Sequence, residues 1–536
     1  MPLSKFLKSD RMLKALRKGV AAMKQRKPYD PFSWFYQAAI HGVPPEMVKA
    51  AREKLDTAGQ DAFDAVFQKR YWNQCPHNGE ESANFLPWHR GYTYYFEKIL
   101  RMHTEDKEFS LPYWDYEDKS NRTFPKAFGE KYVDGDPKQP NPLFLAQRDT
   151  YFTGYDHPFA VGLPLLELTD DAVDSSSALA TPFFFGETET QGLGGGYADE
   201  DPTTRGLLES RPHDHIHRAV GGVIPLPEGV TLADGSDTVT GAMAQPPTAG
   251  FDPIFCVHHS NIDRLWAVWS CMPGKSWGKC PPAYWFSERP WFFWDVDEQG
   301  RPQVVNEPRQ NYFSHRALGI EFEDKATKCD KPLELPDIDK LSTKVIAHRI
   351  KLEIVAQERI EFAVLPLGRT VVPLRDQTKT RLIAPFKAHR DMRATNATPE
   401  KGQHLMMRLA NLDLGLVPAT GFDIHVTAKP NNAALRRSDK SYVGSVALFR
   451  HQLTGAAGAS KTNRPENHGD NGMPAAHGGG DTFDISEAVS ALGDVDLNEL
   501  KIVVVPYALL TIPGKETVHV STARLRVGGV QFLLSK

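Results

Sequence analysis

The stretch Asp252–Trp266, DPIFCVHHSNIDRLW, sets two adjacent histidines, His258 and His259, behind Ile254, Phe255 and Val257. Asn261, Asp263 and Arg264 follow them. Helical spacing from Phe255 onward predicts a buried helix with Asp263 four residues past His259 and on the same face. A carboxylate there can hold an imidazole in one tautomer, the usual support behind a metal ligand. For this stretch alone, a histidine pair satisfied by backbone carbonyls is the plainer alternative.

The next cluster upstream is LLESRPHDHIHRAVGG, residues 207–222. His213 and His217 are spaced i, i+4, so on a helix they share a face and can share a metal, while His215 faces away. With His259 about forty residues on, these form one trio. Farther upstream, SWFYQAAIHG predicts a helix ending at His41, with Gly42 as its stop. CPHNGEESANFLPWHRGYTYYFE places His77 on a polar loop and His89 at a helix start just after Pro87. Three such side chains can converge without any local motif. Two all-histidine trios with no thiolate cluster suit Zn, Cu, Fe or Ni, and three imidazoles with open positions favour copper or a catalytic zinc. Spacing leaves that choice open.

A chain of 536 residues has room for two or more domains. Its net charge of −4 gives nucleic acid or an anionic membrane no electrostatic basis as a main partner. No apolar run approaches the roughly 20 residues of a membrane span. The basic, amphipathic N-terminus reads as a surface helix packing on the main domain, and the expected location is cytoplasmic. The five cysteines are too scattered for a disulfide framework, though Cys271 and Cys280 bracket a Pro/Gly turn and are placed to pair in an oxidising compartment. Cys256 reads as a buried thiol. Residues 1–334 read as a mainly α domain with long loops. Residues 335–536 turn to strand-like alternation and read as a β-sandwich. Within it, residues 453–481 form a Gly/Ala/Asn-rich loop whose His468 and His477 are ordinary polar-loop residues.

FLPWHRGYTYYFE, PYWDY, PHDHIH and DPIFCVHHSNIDRLW together resemble the type 3 copper proteins: tyrosinases, catechol oxidases and molluscan-type hemocyanins. The resemblance spans roughly residues 30–325. It implies a four-helix-bundle dicopper core, with His41, His77 and His89 on the first copper and His213, His217 and His259 on the second. His258 then falls to a neighbouring structural role. Some members join a cysteine to the middle ligand of the first copper by a thioether, and Cys75-Pro-His77 matches that Cys-x-His spacing. The alternative is a free or buried thiol.

Glu209 stands where many members hold a glutamate that orients a water near the second copper, and it can accept a phenol proton through that water. Asp214 stands where efficient tyrosinases carry asparagine. This departure adds a second acid and weighs against monophenol hydroxylation. Arg218 is expected to steer substrate carboxylates or to offset those acids. Pro246 stands thirteen positions before His259, where members often control substrate access. The implied activity is O2-dependent oxidation of small o-diphenols to o-quinones, with ortho-hydroxylation of monophenols. An o-aminophenol oxidase and a hemocyanin-like oxygen carrier are the alternatives. A homo-oligomer is compatible with the family, and its C-terminal β domains often cover the active site and keep the enzyme latent.

Overall fold

The computed structural model describes residues 1–67, 72–76, 82–153, 166–186, 192–196, 205–225, 238–278, 280–281, 283–287, 291–333, 335, 338, 341, 352–358, 362–364, 369–372, 374–394, 404–414, 420–429, 434–446, 481–492, 499–511 and 525–535. His77 and residues 453–480, with His468 and His477, lie outside the described residues.

Among the described residues, the helices that frame the N-terminal core include α1 Asp10–Gln25, α2 Trp34–His41, α3 Phe85–Thr104, α4 Asp214–Gly221 and α5 Phe255–Cys271. In α1, Met12, Ala15, Leu16, Gly19, Val20 and Met23 recur every three to four residues and are buried. The Ser9 hydroxyl caps the helix by accepting from Met12 N. Its apolar stripe lies on α3 so closely that a Cβ at Gly19 would come within 2.7 Å of Leu100. Ser33 caps α2 in the same way, and the helix stops at His41 as the sequence predicts.

The turn entering α5 is held by charge. Arg148 Nε and Nη2 donate to the two oxygens of Asp252 at 2.7 and 2.6 Å, and Asp252 Oδ1 also accepts from Ile254 N. Both side chains are buried. Asp263 departs from expectation. Its Oδ1 accepts from Arg90 Nε on α3 at 2.7 Å and pairs with Arg90 Nη2 at 2.6 Å, so it ties α5 to α3 instead of supporting His259. A buried carboxylate is stabilised more by a forked cation than by one imidazole N–H. Arg90 stacks over Trp266 at 3.5 Å, which closes this contact.

Cys271 at the end of α5 is disulfide-bonded to Cys329, with a Cα–Cα distance of 5.6 Å, and not to Cys280. The strand Ser276–Gly278 joins Phe183–Gly186 in parallel and carries Cys280 away to a separate apolar cluster.

The C-terminal part forms two antiparallel sheets. Its strands are preceded in the chain by a short one, β1 Glu167–Leu168. They are β2 Leu352–Glu358, β3 Phe362–Val364, β4 Thr370–Val371, β5 Leu405–Leu414, β6 Thr420–Thr427, β7 Tyr442–Val446, β8 Asp481–Asp484, β9 Lys501–Ala508, β10 Leu510–Thr511 and β11 Leu525–Ser535. One sheet has the order β3-β11-β5-β8, with β2 also on β11, and the other has β4-β9-β6-β7. Leu405, Met407 and Leu409 of β5 share one core with Phe422, Ile424 and Val426 of β6. This i, i+2 spacing is that of strands with one buried face. A helix not expected from sequence, α6 Asp376–Ala394, also covers this core through Leu382 and Phe386, four residues apart. Pro385 within it masks the helical signal.

The two parts meet where β10 pairs with β1, Leu510 opposite Leu168 and Thr511 opposite Glu167. Thr169 Oγ1 donates to Ala508 O at 2.9 Å, and Arg437 pairs with Asp171. Among the described residues no helix is long and apolar enough to cross a membrane.

Candidate metal centre

Helix ends bring the histidines together. His41 is the last residue of α2, His89 lies one turn into α3, and His259 lies one turn into α5. Residues Glu209–His213 lead into α4 across a kink at Arg211, whose backbone is extended, so His213 stands at the start of that helix and His217 sits within it. The candidate ligand atoms of His213, His217, His258 and His259 all lie within 4.8 Å of one another, and so do those of His41, Cys75 and His89. The His89 and His259 rings stack at 4.2 Å, so the two groups adjoin. α3 and α5 contribute alike, because Phe85 precedes His89 by four residues and Phe255 precedes His259 by four. Phe85 lies 4.4 Å from the His89 ring and 4.6 Å from that of His213. Phe255 lies 4.3 Å from the His259 ring and 4.7 Å from that of His41. Two apolar rings thus flank a cluster of nitrogen donors.

The chain fixes which nitrogen faces inward. His89 Nδ1 donates to Phe85 O at 2.8 Å, His217 Nδ1 to Met243 O at 2.8 Å, and His213 Nδ1 to Asp214 Oδ1 at 2.9 Å. Each bond leaves Nε2 as the lone-pair atom, the arrangement a metal ligand needs. His217 Nε2 and His259 Nε2 are 3.4 Å apart. Two imidazole nitrogens about 2.0–2.1 Å from one ion, at a tetrahedral angle, stand about 3.4 Å apart. Burial pushes His259 well below the usual histidine pKa, and the neighbouring imidazoles of His89, His258, His217 and His41 push it the same way. Burial takes His258 down to about 3. These imidazoles are therefore neutral at physiological pH, as metal binding requires. The residues present fit a pair of metal ions.

Residues 31–272 match the common central domain of tyrosinase. The chain carries a tyrosinase-family domain. A tyrosinase from Hahella sp. (strain CCB-MM4), HcTyr1, is 31% identical over 274 residues, 48% of this chain and 51% of that protein. The chloroplastic polyphenol oxidase A1 of Vicia faba is 22% identical over 393 residues, 69% of this chain and 57% of that protein. The chain thus spans little more than half the length of these two curated relatives. The solved structure of latent apple tyrosinase is 19% identical, covers 98% of this chain and 95% of that chain, and has a TM-score of 0.51, a likeness of fold.

Within the tyrosinase domain, five of the six expected ligands are described, and all five are buried at this centre. His77 is the sixth and lies outside the described residues. Cys75 Sγ is 3.4 Å from His89 Nε2. His258 is next to the second trio, with Tyr116 Oη 3.4 Å from its Nδ1. His215 faces away, as its spacing predicts: its Nδ1 donates to Asp171 O and its Nε2 accepts from Tyr507 Oη at 2.8 Å.

Glu209 and Asp214 do not form a bare acid pair. Arg205 lies between them, with Nε and Nη2 donating to Glu209 Oε1 at 3.0 and 2.8 Å. Its Nη1 and Nη2 donate to Asp214 Oδ2 and Oδ1 at 2.5 and 2.9 Å. Arg218 is 3% exposed, and burial pulls its pKa down to about 10 against the pull of Asp214. Its place is in the interior near Asp214. Pro246 is buried at the start of the short helix Pro246–Ala249, where a Cβ on Gly42 would meet its carbonyl at 3.0 Å. Arg205, Phe85 and the Arg148–Asp252 pair were not singled out from sequence. The i, i+4 spacing of Arg205 and Glu209 was the one available signal.

Proposed function

We infer that the chain is a copper-dependent polyphenol oxidase that takes o-diphenols to o-quinones, two diphenols per O2, with water as the second product. The observation that carries this reading is the convergence of two buried groups of imidazoles between Phe85 and Phe255. His41, His77 and His89 are the proposed ligands of one copper, and His213, His217 and His259 those of the other. Copper, when bound, supplies one-electron exchange between phenol and O2.

The chain's own residues set the conditions. Carbonyl and carboxylate acceptors hold the imidazoles in register, and Phe85 and Phe255, packed against the rings, keep the centre apolar. Glu209, steadied by Arg205, is the proposed acceptor for a phenol proton. The proposed thioether joins Cys75 to His77. Residues 1–334 are the proposed catalytic domain, a four-helix bundle. Residues 335–536, whose two sheets share one core, are read as a β-sandwich that restrains activity until moved or cleaved.

Oxygen uptake by copper-loaded protein with catechol, tyrosine and 2-aminophenol tests the reading. Catechol is expected to consume O2 at one per two quinones, faster after limited proteolysis. No uptake with catechol, in protein holding two copper ions and cleaved between the domains, would overturn it. Faster turnover of 2-aminophenol than of catechol would move the substrate class.

A further inference from the structure

Arg205 is 9% exposed and sits on a segment held by a backbone bridge to Gly195. Its guanidinium meets both buried acids of the second trio, and both oxygens of Asp214 are engaged by it. Asp214 Oδ1 also accepts from Nδ1 of His213, a proposed copper ligand. A chain of contacts therefore runs from Arg205 through Asp214 to an imidazole at the centre. A planar fork of N–H donors can span two carboxylates at once, whereas an ammonium is a single point of charge.

We propose that Arg205 is a positioning residue for the second copper: its guanidinium fixes the Asp214 carboxylate against His213 Nδ1, which aims His213 Nε2 at the metal. This rests on the dicopper reading above. It assigns to Asp214, the departure from the family pattern, an orienting role that asparagine alone would fill less firmly, because an amide oxygen carries no charge to draw the guanidinium.

The test follows stepwise copper release to a chelator from the wild-type chain, Arg205→Lys, Arg205→Gln, Asp214→Asn and the double variant Arg205→Gln/Asp214→Asn. Circular dichroism checks that each is folded, and Arg205→Lys keeps the buried charge should Arg205→Gln fail to fold. One of the two release steps is expected to weaken about ten- to a hundredfold in Arg205→Gln, and less in Arg205→Lys, with the other step unmoved. The double variant is expected to lose no more than the worse single variant, since both act on one contact. Two steps that stay put, two that shift together, or a double variant that sums the single losses would overturn the proposal. A wild-type chain that holds fewer than two copper ions would instead defeat the dicopper reading.

Discussion

Asp263 stands one helical turn past His259, yet its carboxylate belongs to Arg90, 173 residues earlier in the chain. The histidines were legible because each sits in a short motif with its own helix signal. The charges were not, because Arg90–Asp263, Arg148–Asp252 and Arg205–Asp214 are pairings that only the folded chain brings within reach. Burial raises the Asp263 pKa and lowers that of Arg90, and each charge opposes the shift of the other. Removing one partner leaves the other uncompensated in the interior. Asp263→Asn is expected to cost about 3–5 kcal/mol of stability in urea unfolding. An unchanged midpoint would show that the pair is not what ties α5 to α3.

At the scale of elements, the ligand-bearing helices were legible from caps and stops, as with Gly42 after His41. The reason for that glycine lies across the fold. A Cβ on Gly42 would come 2.8 Å from Pro247 Cα and 3.0 Å from Pro246 O, so α2 and the Pro246–Ala249 helix approach backbone to backbone. Gly42→Ala is expected to cost about 1–3 kcal/mol by overpacking and to loosen copper at His41, read as faster release to a chelator. Wild-type release kinetics would argue that the contact has slack. The C-terminal strands were legible from their alternation, but α6 was not: its helical pair Leu382 and Phe386 brackets Pro385, which marks a break in most helices. The Cys271–Cys329 bond was hidden for a different reason, since its partners lie 58 residues apart and meet only after α5 is packed.

Over the whole molecule, the β-rich part reaches the helical N-terminal part at the back of α4. Tyr507 Oη donates to His215, the residue between two proposed copper ligands, and the Arg437 guanidinium lies 4.4 Å from the Tyr507 ring. Tyr507→Phe is expected to weaken this docking by about 1 kcal/mol. The readout is faster release of the C-terminal part by limiting protease, and an unaltered cleavage rate would place the restraint elsewhere.

Burial lowers His258 and His315 to about 3, so the folded chain leaves them unprotonated where the unfolded chain binds protons below about 6.5. Their contribution is intact above about pH 6.5 and lost as pH falls toward 3, at about 1.4 kcal/mol per unit for each. The metal-free chain is expected to have a lower urea midpoint at about pH 5.5 than at about pH 7.5. A midpoint that rises on acidification would contradict those burials.

Two histidine trios holding two copper ions side by side is the proposed arrangement. Its most direct test is the copper content, by elemental analysis after dialysis, of the wild-type chain and of His89→Ala and His259→Ala. Two copper ions per wild-type chain and one in each folded variant is the predicted result. A wild-type chain that retains a single ion, or a variant that still retains two, would contradict it.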